Sequence, residues 1–190
     1  MISMVGASRI MVGRTPGWPA ALVFATAIVV TIALLITKQP GLHRGALGLA
    51  YLGLLTAVAL RDLHTMRAPN RIVYPALAFA LVASLTLGWE AAREAWLGGV
   101  VAFLVLLLLV IAGRGAMGMG DIKTGCLCGL VVGLQGVLPL LAAAFIAGGV
   151  LGLMLLVTRK RTRRDPIPFT PLLAVATVFS IAQYHLYLWS

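Results

Sequence analysis

The chain of 190 residues is 61% hydrophobic and only 11% charged, and its mean hydropathy is +1.04. Soluble domains average about 45–50% apolar and about 25% charged residues, and a protein of this size has no interior large enough to hide the surplus. The composition excludes a water-soluble globule and makes the lipid bilayer the solvent. The net charge of +10 then reads as an orientation signal and not as a nucleic-acid-binding surface, so no nucleic-acid partner is expected.

Seven apolar segments are predicted in chain order, at about 18–37, 45–60, 72–89, 96–112, 122–134, 137–157 and 169–189. A bilayer core needs about 20 apolar residues per helix. The first segment follows Arg9 and Arg14, as a signal peptide would. Its apolar run is longer than the about 7–15 residues of a signal sequence, and no small-x-small site precedes Lys38, so a retained anchor is expected. The fifth segment is short for a span. Gln135 and Gly136 separate it from the sixth, with Pro139 just beyond, and it can cross only where one end opens into a water-filled recess.

With the N-terminus inside, twelve of the fifteen cations fall on the cytoplasmic side, and only Lys38, Arg44 and Arg93 fall outside. The positive-inside rule therefore favours a cytoplasmic N-terminus. Trp18, Trp89, Trp96 and Trp189 sit at segment ends, as an aromatic belt does. The expected fold class is all-α: a polytopic transmembrane bundle of about seven helices. Residues 1–44 form an N-terminal arm with an extra helix, and residues 45–190 form the membrane core.

Glycine is abundant, at 21 residues, and part of it is patterned. Gly125, Gly129 and Gly133 recur every fourth residue, and Gly148 and Gly152 repeat the spacing. Such stripes let helices approach closely in lipid, so packing explains them without chemistry.

Only five acids occur. Glu90 and Glu94 are expected in a solvated outer loop with Arg93, and Asp165 balances the basic run 159–164, which orients the chain and attracts anionic headgroups. Asp62 and Asp121 differ. Asp62 follows the second segment and Asp121 precedes the fifth. Two spans separate them, so both face one side of the membrane. Acids within or at the edge of apolar spans are costly and are functional candidates by default. Gly118 and Gly120 precede Asp121 in M-G-M-G-D-I-K, where they permit a tight turn and leave room for another backbone beside the carboxylate. Pro69 and Asn70 end the element that carries Asp62 and set up the next helix.

Three stretches together carry a resemblance: D-L-H-T-M-R-A-P-N-R at 62–71, G-M-G-D-I-K at 118–123 and I-P-F-T-P at 167–171. In order and spacing they resemble the type IV prepilin peptidases, which belong with the G-x-G-D intramembrane aspartic proteases. The matching region covers about residues 45–185. The resemblance implies that Asp62 and Asp121 are the catalytic pair, with no metal and no cofactor. It also implies a prepilin or pseudopilin substrate and a multi-pass place in the bacterial cytoplasmic membrane. Ala68 stands where the family commonly has Ile, and Thr170 where it commonly has Gly. No Cys-x-x-Cys pair occurs, so the resemblance is to a short, peptidase-only form; no oligomeric state is assigned.

Two carboxylates sharing one site hold a single proton between them. The ionised member takes a proton from water, which attacks the scissile carbonyl, while the protonated member hydrogen-bonds the carbonyl oxygen. Lys123, two residues after Asp121, is a candidate to steer an acidic group of the substrate or to tune the pair. His43 and His185 stand alone, without a second ligand at metal spacing. His64 is expected in a solvated loop, and Cys126 and Cys128 as small core residues that cannot bond to each other on one helix. Two readings of other classes compete: a small transporter or ion-coupling subunit, and a non-catalytic subunit of a pilus or secretion machine. A transporter favours acids near mid-membrane and repeated halves. A scaffold loses the acids, and both are present here.

Overall fold

The computed structural model describes residues 42–65, 70–113, 118–158 and 169–183. The first predicted segment therefore lies outside the described residues, as do Pro69, the basic run 159–164, Asp165 and His185. Five helices are described: α1 (Leu42–Thr65), α2 (Asn70–Leu85), α3 (Trp89–Ala112), α4 (Met119–Val157) and α5 (Thr170–Gln183). Three stretches, His43–Asp62, Trp89–Ala112 and Met119–Met154, are long and apolar enough to cross a membrane. The protein is an all-α membrane bundle.

Burial is inverted relative to a soluble protein. The interior is rich in small side chains, among them Ala76, Ala80, Ala83, Ala92, Ala95 and Ala102. Large apolar side chains point outward: Val82, Leu108 and Ile146 are 65%, 64% and 68% exposed. An exterior of this kind is stable only against lipid. In lipid, helices associate through close packing of small residues. The closest approach joins α3 to α4: a Cβ at Gly129 would lie 2.5 Å from the Gly98 carbonyl oxygen, and one at Gly98 would meet the backbone of Gly133. The glycine stripe is thus a packing device at Gly129 and Gly133. Gly125 instead accommodates Leu106 of α3, and Gly148 faces Phe169 and Leu172 beside α5.

The expected break between the fifth and sixth segments exists, but it falls at Gly133 and not at Gln135–Gly136. Gly133 has φ 74° and ψ −178°, a conformation essentially reserved for glycine. The contacts with α5 show what the break does. Along α5, Thr170 meets Asp121, Phe169 stacks on Phe145 at 5.3 Å, and the Ser180 hydroxyl donates to the Gly136 carbonyl at 3.0 Å. The first arm of α4 therefore runs parallel to α5 and the second runs back along it. The two predicted segments are two arms of one folded element. The first arm spans roughly 14 residues, or ~21 Å at 1.5 Å per residue, less than a hydrocarbon core of about 30 Å.

Several boundaries move. The predicted outer loop around Glu90 and Glu94 is helical, because α3 begins at Trp89 immediately after Gly88, whose φ of 104° turns the chain. Glu90 pairs with Arg93 at 2.9 Å one turn on, and Trp89 packs edge-to-face on Trp96. Charges and indole N–H groups at a membrane boundary break the apolar run without breaking the helix. Similarly, Asp62 and Asp121 lie inside helices, in the last turns of α1 and the first turn of α4, and not beyond their ends.

Candidate active site

Alternation of helix direction, with the fold-back of α4, brings six helix termini to one end of the bundle: the end of α1, the start of α2, the end of α3, both ends of α4 and the start of α5. The contacts bear this out. Lys123 of α4 reaches Asn70 of α2, and Thr170 of α5 reaches Asp121 of α4. His43, at the start of α1, bonds Thr86 beyond α2 at the opposite end, at 2.9 Å. The Thr86 hydroxyl donates to the Ala83 carbonyl, so His43 Nε2 is the donor in that pair and the imidazole is accounted for.

Asp62 and Asp121 occupy the shared end. Asp62 is 4% exposed, and its Oδ2 is buried with no hydrogen-bond partner among the described residues. Asp121 is partly exposed and lies close enough to Asp62 for the two carboxylates to act on each other electrostatically. Its backbone N–H donates to the Gly118 carbonyl at 3.1 Å, which closes the turn ahead of α4. Asp121 Oδ1 accepts a hydrogen bond of 3.0 Å from the Thr170 hydroxyl. Its other oxygen, Oδ2, faces Gly118, where a Cβ would stand 3.7 Å away. The carboxylate is held by the Thr170 hydroxyl and by backbone of Gly118 and Thr170. A Cβ at Gly118 would make only ordinary contact, and Gly118 has no positive φ, so its turn does not itself demand glycine.

Thr170 is fully buried at the start of α5, and its side chain and backbone also face Asp62. Pro171 follows it in the first turn, where a missing N–H costs nothing. Thr170 is the residue beside both acids that sequence reasoning passed over. It registered only as a departure from a motif, although its place at the start of the last helix, on the side of both acids, was available from segment parity.

The remaining predicted residues divide. Gly120 supplies the carbonyl that accepts the Thr124 hydroxyl at 3.0 Å, a contact within α4. Lys123 Nζ donates to Asn70 Oδ1 at 2.9 Å and lies 4.7 Å from the centre of the Tyr74 ring. Lys123 and Asn70 are thereby brought together, and the ammonium is spent on α2. Cys128 is buried and Cys126 half-buried, both as free thiols. An apolar groove of about 640 Å³ passes Gly53, Leu54, Arg71, Pro75 and Phe79 between α1 and α2. Neither acid lines it, so it is separate from the carboxylate pair.

A membrane bundle that brings two carboxylates close together at one end defines a class of site, a candidate intramembrane carboxylate pair. The chain belongs to the type IV leader peptidase family, whose model matches residues 49–153, a stretch that contains both acids. It is 32% identical over 134 residues to the prepilin leader peptidase/N-methyltransferase of Bacillus subtilis, covering 68% of this chain and 52% of that protein. The proteins of the same name from Xanthomonas campestris and Aeromonas salmonicida are 34% and 30% identical, covering 64% and 86% of this chain and 44% and 60% of theirs. The chain thus spans about half the length of the curated relatives it matches. No solved structure matches it.

Proposed function

We propose that this protein is an aspartic endopeptidase of the bacterial cytoplasmic membrane that removes the short basic leader from type IV prepilins or pseudopilins. The observation that carries the proposal is the meeting of Asp62 and Asp121, 59 positions apart in sequence, at one end of the bundle, with Asp62 Oδ2 buried and without a hydrogen-bond partner among the described residues. The pair shares one proton. The ionised carboxylate draws a proton from water as that water attacks the scissile carbonyl, and the protonated one hydrogen-bonds the carbonyl oxygen while negative charge develops there. The collapsing intermediate expels the amine of the mature N-terminus, which takes up the proton.

The membrane arrangement fits such a substrate. A seven-helix bundle with a cytoplasmic N-terminus puts both acids at the cytoplasmic boundary, where a leader joins an apolar helix. Gly118 leaves a lane for an extended backbone beside Asp121. The proposal concerns hydrolysis alone. Its test is co-expression of the chain with a prepilin in membranes, with the new N-terminus read by mass spectrometry. A product beginning one residue after the basic leader's terminal glycine supports it; unprocessed precursor with every prepilin and pseudopilin supplied contradicts it.

A further inference from the structure

We propose that Thr170 is a positioning residue for Asp121, orienting its carboxylate so that Oδ2 faces the substrate lane and the partner acid. This deepens the peptidase reading and rests on it. Asp121 Oδ1 has one side-chain donor among the described residues, the Thr170 hydroxyl at 3.0 Å. The threonine is fully buried, so no bulk water competes for the contact. Its Cβ is carried by the first residue of α5, which packs along the first arm of α4 and fixes the hydroxyl relative to Asp121.

The geometry gives the carboxylate one defined state. A carboxyl group turns about its last single bond, and that torsion is broad when nothing holds it. With Oδ1 bonded to Thr170, rotation is stopped and Oδ2 is presented beside Gly118. Because Thr170 also faces Asp62, its hydroxyl sits between the two acids and sets their relative orientation before any substrate arrives. A general base is effective only when held at hydrogen-bonding reach of the proton it takes, and small misplacements are costly in rate.

The test is steady-state cleavage of a synthetic prepilin by the full chain in proteoliposomes, comparing wild type with Thr170→Val, Thr170→Ser, Asp62→Asn and Asp121→Asn. Valine keeps the shape and removes the donor; serine restores the donor. Expected for Thr170→Val is a loss of about 10–100-fold in kcat with KM changed less than about twofold, and for Thr170→Ser a return to within about threefold of wild type. A merely structural role would move KM and yield together and would not be rescued by serine. Wild-type kcat in Thr170→Val, or a Thr170→Ser enzyme as slow as Thr170→Val, overturns the assignment while silent Asp variants leave the peptidase reading standing. Cleavage by either Asp variant overturns that reading, and this one with it.

Discussion

The ammonium of Lys123 donates a 2.9 Å hydrogen bond to Asn70 Oδ1 and lies over the Tyr74 ring, tying the first turn of α4 to the first turns of α2. The lysine two residues after Asp121 thus acts on the start of α2. It ties the acid-bearing start of α4 to α2, and its charge is directed at Asn70.

Lys123→Met removes a charge-assisted hydrogen bond and a cation–π contact, both partly exposed, and is expected to cost about 1 kcal/mol. Asn70→Ala loses the same bond, so the double variant should be little worse than either single one. Thermal unfolding in detergent measures this. Fully additive losses would show that the two residues are not coupled.

Close backbone packing between α3 and α4 makes Gly98 and Gly129 intolerant of any side chain. A Cβ at either position meets backbone of the other helix, which cannot move aside as a side-chain tip can. Gly98→Ala and Gly129→Ala are expected to destabilise by about 1–3 kcal/mol. Gly53→Ala is the control, since nothing lies within 4 Å of its Cβ position. Equal stability of all three variants would refute the packing assignment.

Gly118 separates room from fold. A Cβ there makes ordinary contact with Asp121 Oδ2 at 3.7 Å, so Gly118→Ala should fold normally and retain most activity. Gly118→Leu should fold equally well but cover Asp121 Oδ2 and lower kcat/KM by at least about tenfold. Cleavage by Gly118→Leu at the wild-type rate would place the substrate elsewhere.

A pair of carboxylates sharing one proton is active only in its singly protonated form, so kcat/KM should rise and fall with pH in a bell. The two limbs belong to the pair and not to either residue. A single sigmoid over the whole accessible range would contradict shared protonation.

Much of this was legible in the sequence because lipid imposes simple rules. Apolar run length located the helices, and counting spans between Asp62 and Asp121 put both on one side. What composition could not place were the boundaries. Glu90 and Arg93 look like loop residues, yet they pair across one turn of α3 at the membrane edge. Gln135 and Gly136 look like the break, yet Gly133 takes it, because only the backbone conformation distinguishes a packing glycine from a turning one. Lys123 was legible as a neighbour of Asp121 but its partners were not, since Asn70 and Tyr74 reach it only through tertiary packing. Thr170 is the same case: its hydroxyl matters because α5 lies along α4, a relation that no local pattern encodes.

The most direct test of the central claim is leader cleavage in membranes by wild type, Asp62→Asn and Asp121→Asn, at matched protein levels. The amide keeps size and most hydrogen bonding while removing the ability to ionise. Processed pilin with wild type and none with either variant is the predicted result. Processing that survives either substitution would remove that residue from the chemistry and contradict the two-carboxylate mechanism.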